Sequence, residues 1–205
     1  MSLGLRLASG GGLRALLVGV ALTGLCVSAL GEVKVTVHKR DHVVQGTTAA
    51  GLVRSMNGSP VQGDHGSAYA SLHPTYNLSV ATKERGGMCR ADVSIRLSFE
   101  LTLPKAASPG SMSSRTRSAW NGFVGFAKRH EAWHQASYTS CAKAFVAKAE
   151  RMSDKQCFAL QSDIRTAFNS MKRSCEAKQL AYDRAQARVL PGLALFSTAR
   201  AQRRK

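Results

Sequence analysis

Acidic residues are scarce in this chain: 12 Asp and Glu stand against 29 Lys and Arg in 205 residues, a formal net charge of +17. Aromatic residues make up only 6%, and there are five prolines. With few prolines, 20% charged residues and 44% hydrophobic residues, the chain is neither disordered, nor low-complexity, nor a polytopic membrane protein. Cys-x-x-Cys is absent, which argues against cysteine-ligated zinc. No recognition fold or aromatic stacking motif is present to make nucleic-acid binding specific, and no internal repeat is visible. The length fits one domain with a sizeable core, or at most two small ones.

What is there begins with an export signal over residues 1–31. Arg6 and Arg14 are its only charges, and they precede the apolar run from Ala15 to Leu30. That run is short for a spanning helix, which needs about 20 residues. Small residues at Ala29 and Gly31 suit a signal-peptidase cut, so the mature protein is expected to start near Glu32, with no membrane span after cleavage. An uncleaved anchor is the competing reading. Leu25 before Cys26 argues against a lipoprotein. Either way the domain is expected outside the cytoplasm, secreted or periplasmic. Four cysteines then remain, Cys89, Cys141, Cys157 and Cys175, and an even number in an exported chain favours two disulfides.

Residues 32–104 read as a sheet. Val33, Val35 and Val37 alternate with polar residues, a Gly46-Thr47 turn follows, and the stretch from Gly58 to Gly66 reads as a loop. The strongest alternation runs through Val93, Ile95, Leu97, Phe99, Leu101 and Leu103, and Pro104 is expected to stop it. Tyr76, Leu78 and Val80 alternate upstream, and Gly86-Gly87 between the two runs predicts an antiparallel hairpin. From about 113 to 190 the period changes to 3.6. Trp120, Phe123, Ala127, His130, His134, Cys141 and Phe145 mark one face of a long helix to about Met152, with Ser113 or Ser114 as cap. A second helix is expected from about Lys155 to Leu190, broken at Pro191, and then a basic C-terminal tail over 191–205. The predicted class is α+β: an N-terminal antiparallel sheet, then a long helical hairpin, zincin-like.

His130-Glu131-Ala132-Trp133-His134 carries the chemistry. In a helix, residues four apart share a face, so both imidazoles can reach one metal ion while the intervening carboxylate leans over it. Composition alone would place this pattern in a chain of this length about 0.005 times. Two nitrogens and a third protein ligand suit zinc, leaving one tetrahedral position for a water. Glu131 is the candidate catalytic base.

In these features the chain resembles a family of bacterial secreted proteins described as zinc-dependent proteases. The similar features are Val44-x-Gly46-Thr47 followed by Leu52, a hairpin with Cys89 leading into Leu103-Pro104, Trp120 ahead of the histidine helix, and Cys157 opening the next helix. Tyr182-Asp183 is similar to the start of that family's Tyr-Asp-x-x-Thr-x-His-Gly motif. The chain departs from it at Gln186, where Thr would stand, and at Arg188, where His would stand.

The third ligand depends on how the two helices register. A Cys141–Cys175 bridge would set His134 opposite Tyr182 and Asp183. A tight turn at Ser153-Asp154 would instead set His130 and Glu131 opposite Cys175 and Glu176. Asp183 is the preferred ligand, since the resemblance and the disulfide register agree on it, and Glu176 is the alternative. Glu150, sixteen residues beyond His134, is about 24 Å along the helix and is excluded. His65 and His73 are minor candidates, while His38 and His42 read as surface. Cys157 and Cys175 are eighteen apart on one helix and cannot meet, so Cys89 must pair with a helix cysteine. Cys89–Cys157 with Cys141–Cys175 would tie the sheet to the hairpin and staple the helices.

These features predict a zinc metallopeptidase acting on a peptide or protein, with zinc held by His130, His134 and Asp183. The positive surface would attract polyanions non-specifically in a salt-dependent way. The alternative is a non-catalytic basic binding protein docking to an acidic envelope component, a reading favoured by Arg188.

Overall fold

The computed structural model describes residues 32–63 and 66–204; the segment expected to be an export signal, residues 1–31, lies outside them, as do Asp64, His65 and Lys205. The architecture is α+β, with an N-terminal sheet followed by helices. Strands β4 (Ser71–Arg85) and β5 (Met88–Ala106) form the expected hairpin. Gly86 and Gly87 turn it at φ of +62° and +73°, the left-handed region in which a Cβ is penalised. Along β5, Val93, Ile95, Leu97 and Phe99 are fully buried while Arg96 and Glu100 face solvent.

The sheet is mixed, which corrects the expectation of an antiparallel one. Strand β1 (Val33–Val44) runs parallel to β5, with Val33 beside Ile95 and Val44 beside Ala106. The cause is the route of the connection. β1 ends opposite Ala106 and β4 begins opposite Thr102, so the intervening chain crosses one end of the sheet and leaves β5 to fill the gap. That crossing holds helix α1 (Ala49–Gly58) and a two-stranded ribbon, β2 (Val61–Gly63) and β3 (Gly66–Ala68).

Helix α1 also corrects the extended reading of this region. Thr48 caps it, its Oγ1 accepting from the Gly51 amide at 3.1 Å, and Leu52, Val53 and Met56 are buried. Gly46 permits the tight entry at φ +116°, where a Cβ would lie 2.8 Å from the Gly51 carbonyl carbon.

Pro104 does not stop β5. Ile95 donates its amide to the Glu32 carbonyl just before β1, and Ala107 donates to Val44 at its end, so by strand alternation the Pro104 nitrogen points to the β4 side. β4 has already ended there, and the missing N–H costs no ladder bond.

Helix α2 (Ser114–Ala149) is capped by Ser113, whose Oγ accepts from the Thr116 amide at 3.2 Å. A short strand, β6 (Ser153–Asp154), pairs with β5 at Cys89 and Arg90 before helix α3 (Cys157–Ala187) returns antiparallel to α2. Tyr138, Phe145 and Val146 of α2 and Leu160, Ile164 and Phe168 of α3 pack on the β5 face as one core. Residues expected within a basic tail instead form helix α4 (Ala194–Gln202), whose Leu195 and Ala199 are fully buried. They join Leu52, Met56, Trp120 and Phe123 in a second core beyond the sheet's end. Leu195 and Ala199 are four apart on one face, which explains why a cationic segment still docks. Among the described residues, no helix is long and apolar enough to cross a membrane.

Two disulfides join these layers. Cys89–Cys157 ties β5 to the start of α3, and Cys141–Cys175 staples α2 to α3, with Cα atoms 5.1 and 6.2 Å apart.

Candidate metal centre

His130 and His134 occupy successive turns of α2 on its inward face. The Cys141–Cys175 staple sets the register that brings Asp183 of α3 against them. Asp183 Oδ1 lies 3.1 Å from His130 Nε2 and 2.8 Å from His134 Nε2. The two Nε2 atoms are 2.9 Å apart. His130, His134 and Asp183 together could hold a metal ion.

The tautomer of His134 is set from behind. Gln179, buried one turn before Asp183, offers Oε1 to His134 Nδ1 at 2.8 Å. The amide cannot flip, because its Nε2 donates to Ser137 Oγ at 2.9 Å and to the Cys175 carbonyl at 3.2 Å. A neutral His134 therefore carries its proton on Nδ1 and turns a bare Nε2 lone pair toward the cluster. Lone pairs on His134 Nε2 and Asp183 Oδ1 at this distance repel unless a proton or a cation lies between them. The arrangement could serve a cation, with an outer hydrogen bond in place behind His134, while Nδ1 of His130 is buried without a hydrogen-bond partner.

The electrostatics follow the same geometry. Burial favours neutral His134, but its hydrogen bonds to Asp183 and Gln179 outweigh burial and raise its affinity for a proton. Burial likewise works to raise Asp183, yet the hydrogen bonds it accepts from the two imidazoles whenever their Nε2 atoms carry a proton hold its carboxyl below the usual carboxylate range. Glu131, only 5% exposed, is raised by burial against the lowering influence of both imidazoles. Tyr182 and Trp133 stack at 3.7 Å beside the centre, and Tyr182 lies near-parallel to the His130 ring at 5.0 Å.

A cavity of about 640 Å³ opens onto the cluster, and Glu131 lines it with His130, His134 and Asp183. Of the other residues singled out in the sequence, Glu176 is drawn away from the cluster, accepting from the Tyr138 hydroxyl at 3.0 Å. His73 sits exposed on β4 beside Glu100 of β5. Arg188 is exposed at the end of α3, and the cluster forms without it. Sequence reasoning missed Gln179. A helical amide has no metal signature, although Cys175, Gln179 and Asp183 recur at four-residue spacing on one face.

Comparison with curated proteins and with solved structures finds no match. A family model described as bacterial protein of unknown function, DUF922, matches residues 40–188. Because that match spans most of the sheet, both disulfides and all three clustered side chains, the chain belongs to this bacterial family of unknown function.

Proposed function

We propose that the protein is an exported, zinc-dependent peptidase of the zincin type. The observation that carries this reading is the convergence of His130 Nε2, His134 Nε2 and Asp183 Oδ1 beside the buried Glu131 carboxylate at a cavity. Two imidazole nitrogens and one carboxylate oxygen are a donor set that suits zinc. The ion, when bound, supplies a Lewis acid and a water acidic enough to ionise near neutral pH. Gln179 holds the His134 ring with Nε2 forward, and Asp183 offsets charge at the centre. Glu131 takes the proton of the attacking water on its carboxylate and returns it to the leaving amine nitrogen. Two disulfides support an exported, oxidising location. The net charge of +17 supports salt-dependent contact with polyanions as a secondary property.

The test is zinc per chain by elemental analysis, together with peptide hydrolysis. About one zinc per chain, lost in His130→Ala, is expected. Glu131→Gln should keep the metal and lose turnover by about 10²-fold or more, as removal of a proton shuttle does. Hydrolysis retained in that variant would sink the mechanism. Zinc absent from the unaltered protein would sink the reading itself.

A further inference from the structure

The cavity beside the cluster has a composition of its own. Phe123, Phe126 and Ala127 line it one to two turns before His130 on α2, on the same helical stripe as His130, Glu131 and His134. Its apolar wall therefore begins about one turn, or ~5 Å, from the clustered nitrogens. Leu190 continues that wall past α3, and Tyr69, in the bend just after β3, and Leu72 of β4 also line it. Tyr69 is held there edge-on to Phe123, with ring centroids 6.0 Å apart.

Charge sharpens the contrast. The chain has 29 Lys and Arg, yet among the described residues none of them lines the cavity. Among the described residues that line it, Glu131 and Asp183 are the only carboxylates. An acidic side chain entering past the metal centre would likewise lose its hydration against this apolar wall, with no Lys or Arg among the described lining residues to pair with it. A Lys or Arg side chain would lose its hydration against Phe126, Ala127 and Leu190, with both carboxylates engaged at the metal centre.

We propose that this cavity receives an uncharged, bulky apolar side chain of a peptide, so that cleavage falls beside residues such as Leu or Phe and not beside Asp or Glu. This inference rests on the peptidase reading for the cleavage itself, while the pocket's preference is testable without it.

The probes are acetyl-Gly-Gly-X-Gly-Gly-amide peptides with X as Leu, Phe, Glu or Lys. Cleavage by the zinc-loaded protein is followed by mass spectrometry, and binding to zinc-loaded Glu131→Gln by calorimetry. Leu and Phe peptides should exceed Glu and Lys peptides by at least about tenfold in both measurements, the scale an apolar pocket achieves. Gln186 lines the cavity one turn beyond Asp183 and is half-buried. In Gln186→Arg the gap between Leu and Glu should narrow about fivefold by improved acceptance of Glu, with zinc content unchanged. Should that variant fail to fold, Phe126→Ala is expected to weaken Leu and Phe without helping Glu. Equal binding and equal cleavage across all four peptides overturns the inference and leaves the peptidase reading standing. Selective binding with no cleavage by the unaltered protein does the reverse. Neither binding nor cleavage overturns both.

Discussion

Gln179 decides which nitrogen of His134 faces the cluster, and its own orientation is set by Ser137 and the Cys175 carbonyl. Replacing it with Leu keeps the volume but removes the acceptor. Zinc affinity should fall about 10- to 100-fold with the fold intact, as loss of an outer hydrogen bond to a ligating histidine does; a chelator-competition titration measures it. Tyr76 makes a second residue-scale case. Its hydroxyl is buried without a hydrogen-bond partner, and burial, aided by the Glu176 charge, raises its pKa. The folded chain thus keeps this proton more tightly than the unfolded chain. Above pH ~10 the unfolded state loses it first, so this group's contribution to stability falls as pH rises. Tyr76→Phe should leave stability at pH 7 unchanged or raise it by about 1 kcal/mol, since it removes an unpaired buried polar atom. Its alkaline unfolding midpoint should also move up, as a pH series of thermal melts would record. At this scale the sequence was informative wherever spacing encodes a helix face. The two histidines of the motif were legible from it, and Asp183 became so once a cysteine register was assumed.

The register of α2 against α3 rests on Cys141–Cys175, two turns from His134 on one helix and from Asp183 on the other. Replacing both cysteines with Ser should lower stability by about 2–4 kcal/mol in denaturant titration. It should weaken zinc binding as well, because Asp183 and Gln179 are placed by the same staple. Retained zinc affinity alongside reduced stability would show that packing alone holds the register. Element types were legible where the period was long and regular, as in β5 and both long helices. They were not legible where tertiary context prevailed. Helix α1 is short and contains Gly51, so its stability comes from burying Leu52 and Met56 rather than from local propensity. Pro104 looks like a strand end until the neighbour it would fail to pair with is known to stop first. The parallel pairing of β1 joins residues about sixty positions apart, and nothing local announces it.

At the scale of the molecule, two cores meet at α2, the helix that carries the histidine pair. Its first turns carry Trp120 and Phe123 into the core shared with α1 and α4, and its last turns carry Phe145 and Val146 onto the sheet. His130, Glu131 and His134 lie between these anchored ends, so the site stands on a span fixed on both sides. The crosslinks lie on the sheet-and-hairpin side only, and along the chain they interleave: Cys89 joins Cys157 across Cys141, and Cys141 joins Cys175 across Cys157. A chain oxidised as it emerges from its N-terminus would meet Cys141 before Cys157 and join the wrong partners first. Random pairing of four cysteines yields the native set about one third of the time. Refolding of the reduced, denatured protein should therefore recover markedly more zinc-binding material in a glutathione exchange buffer than under air oxidation, with the native bonds checked by peptide mapping. Equal recovery would mean that the fold assembles before any sulfur reacts. Otherwise, wherever this protein matures, a thiol able to undo a premature bond has to be within reach.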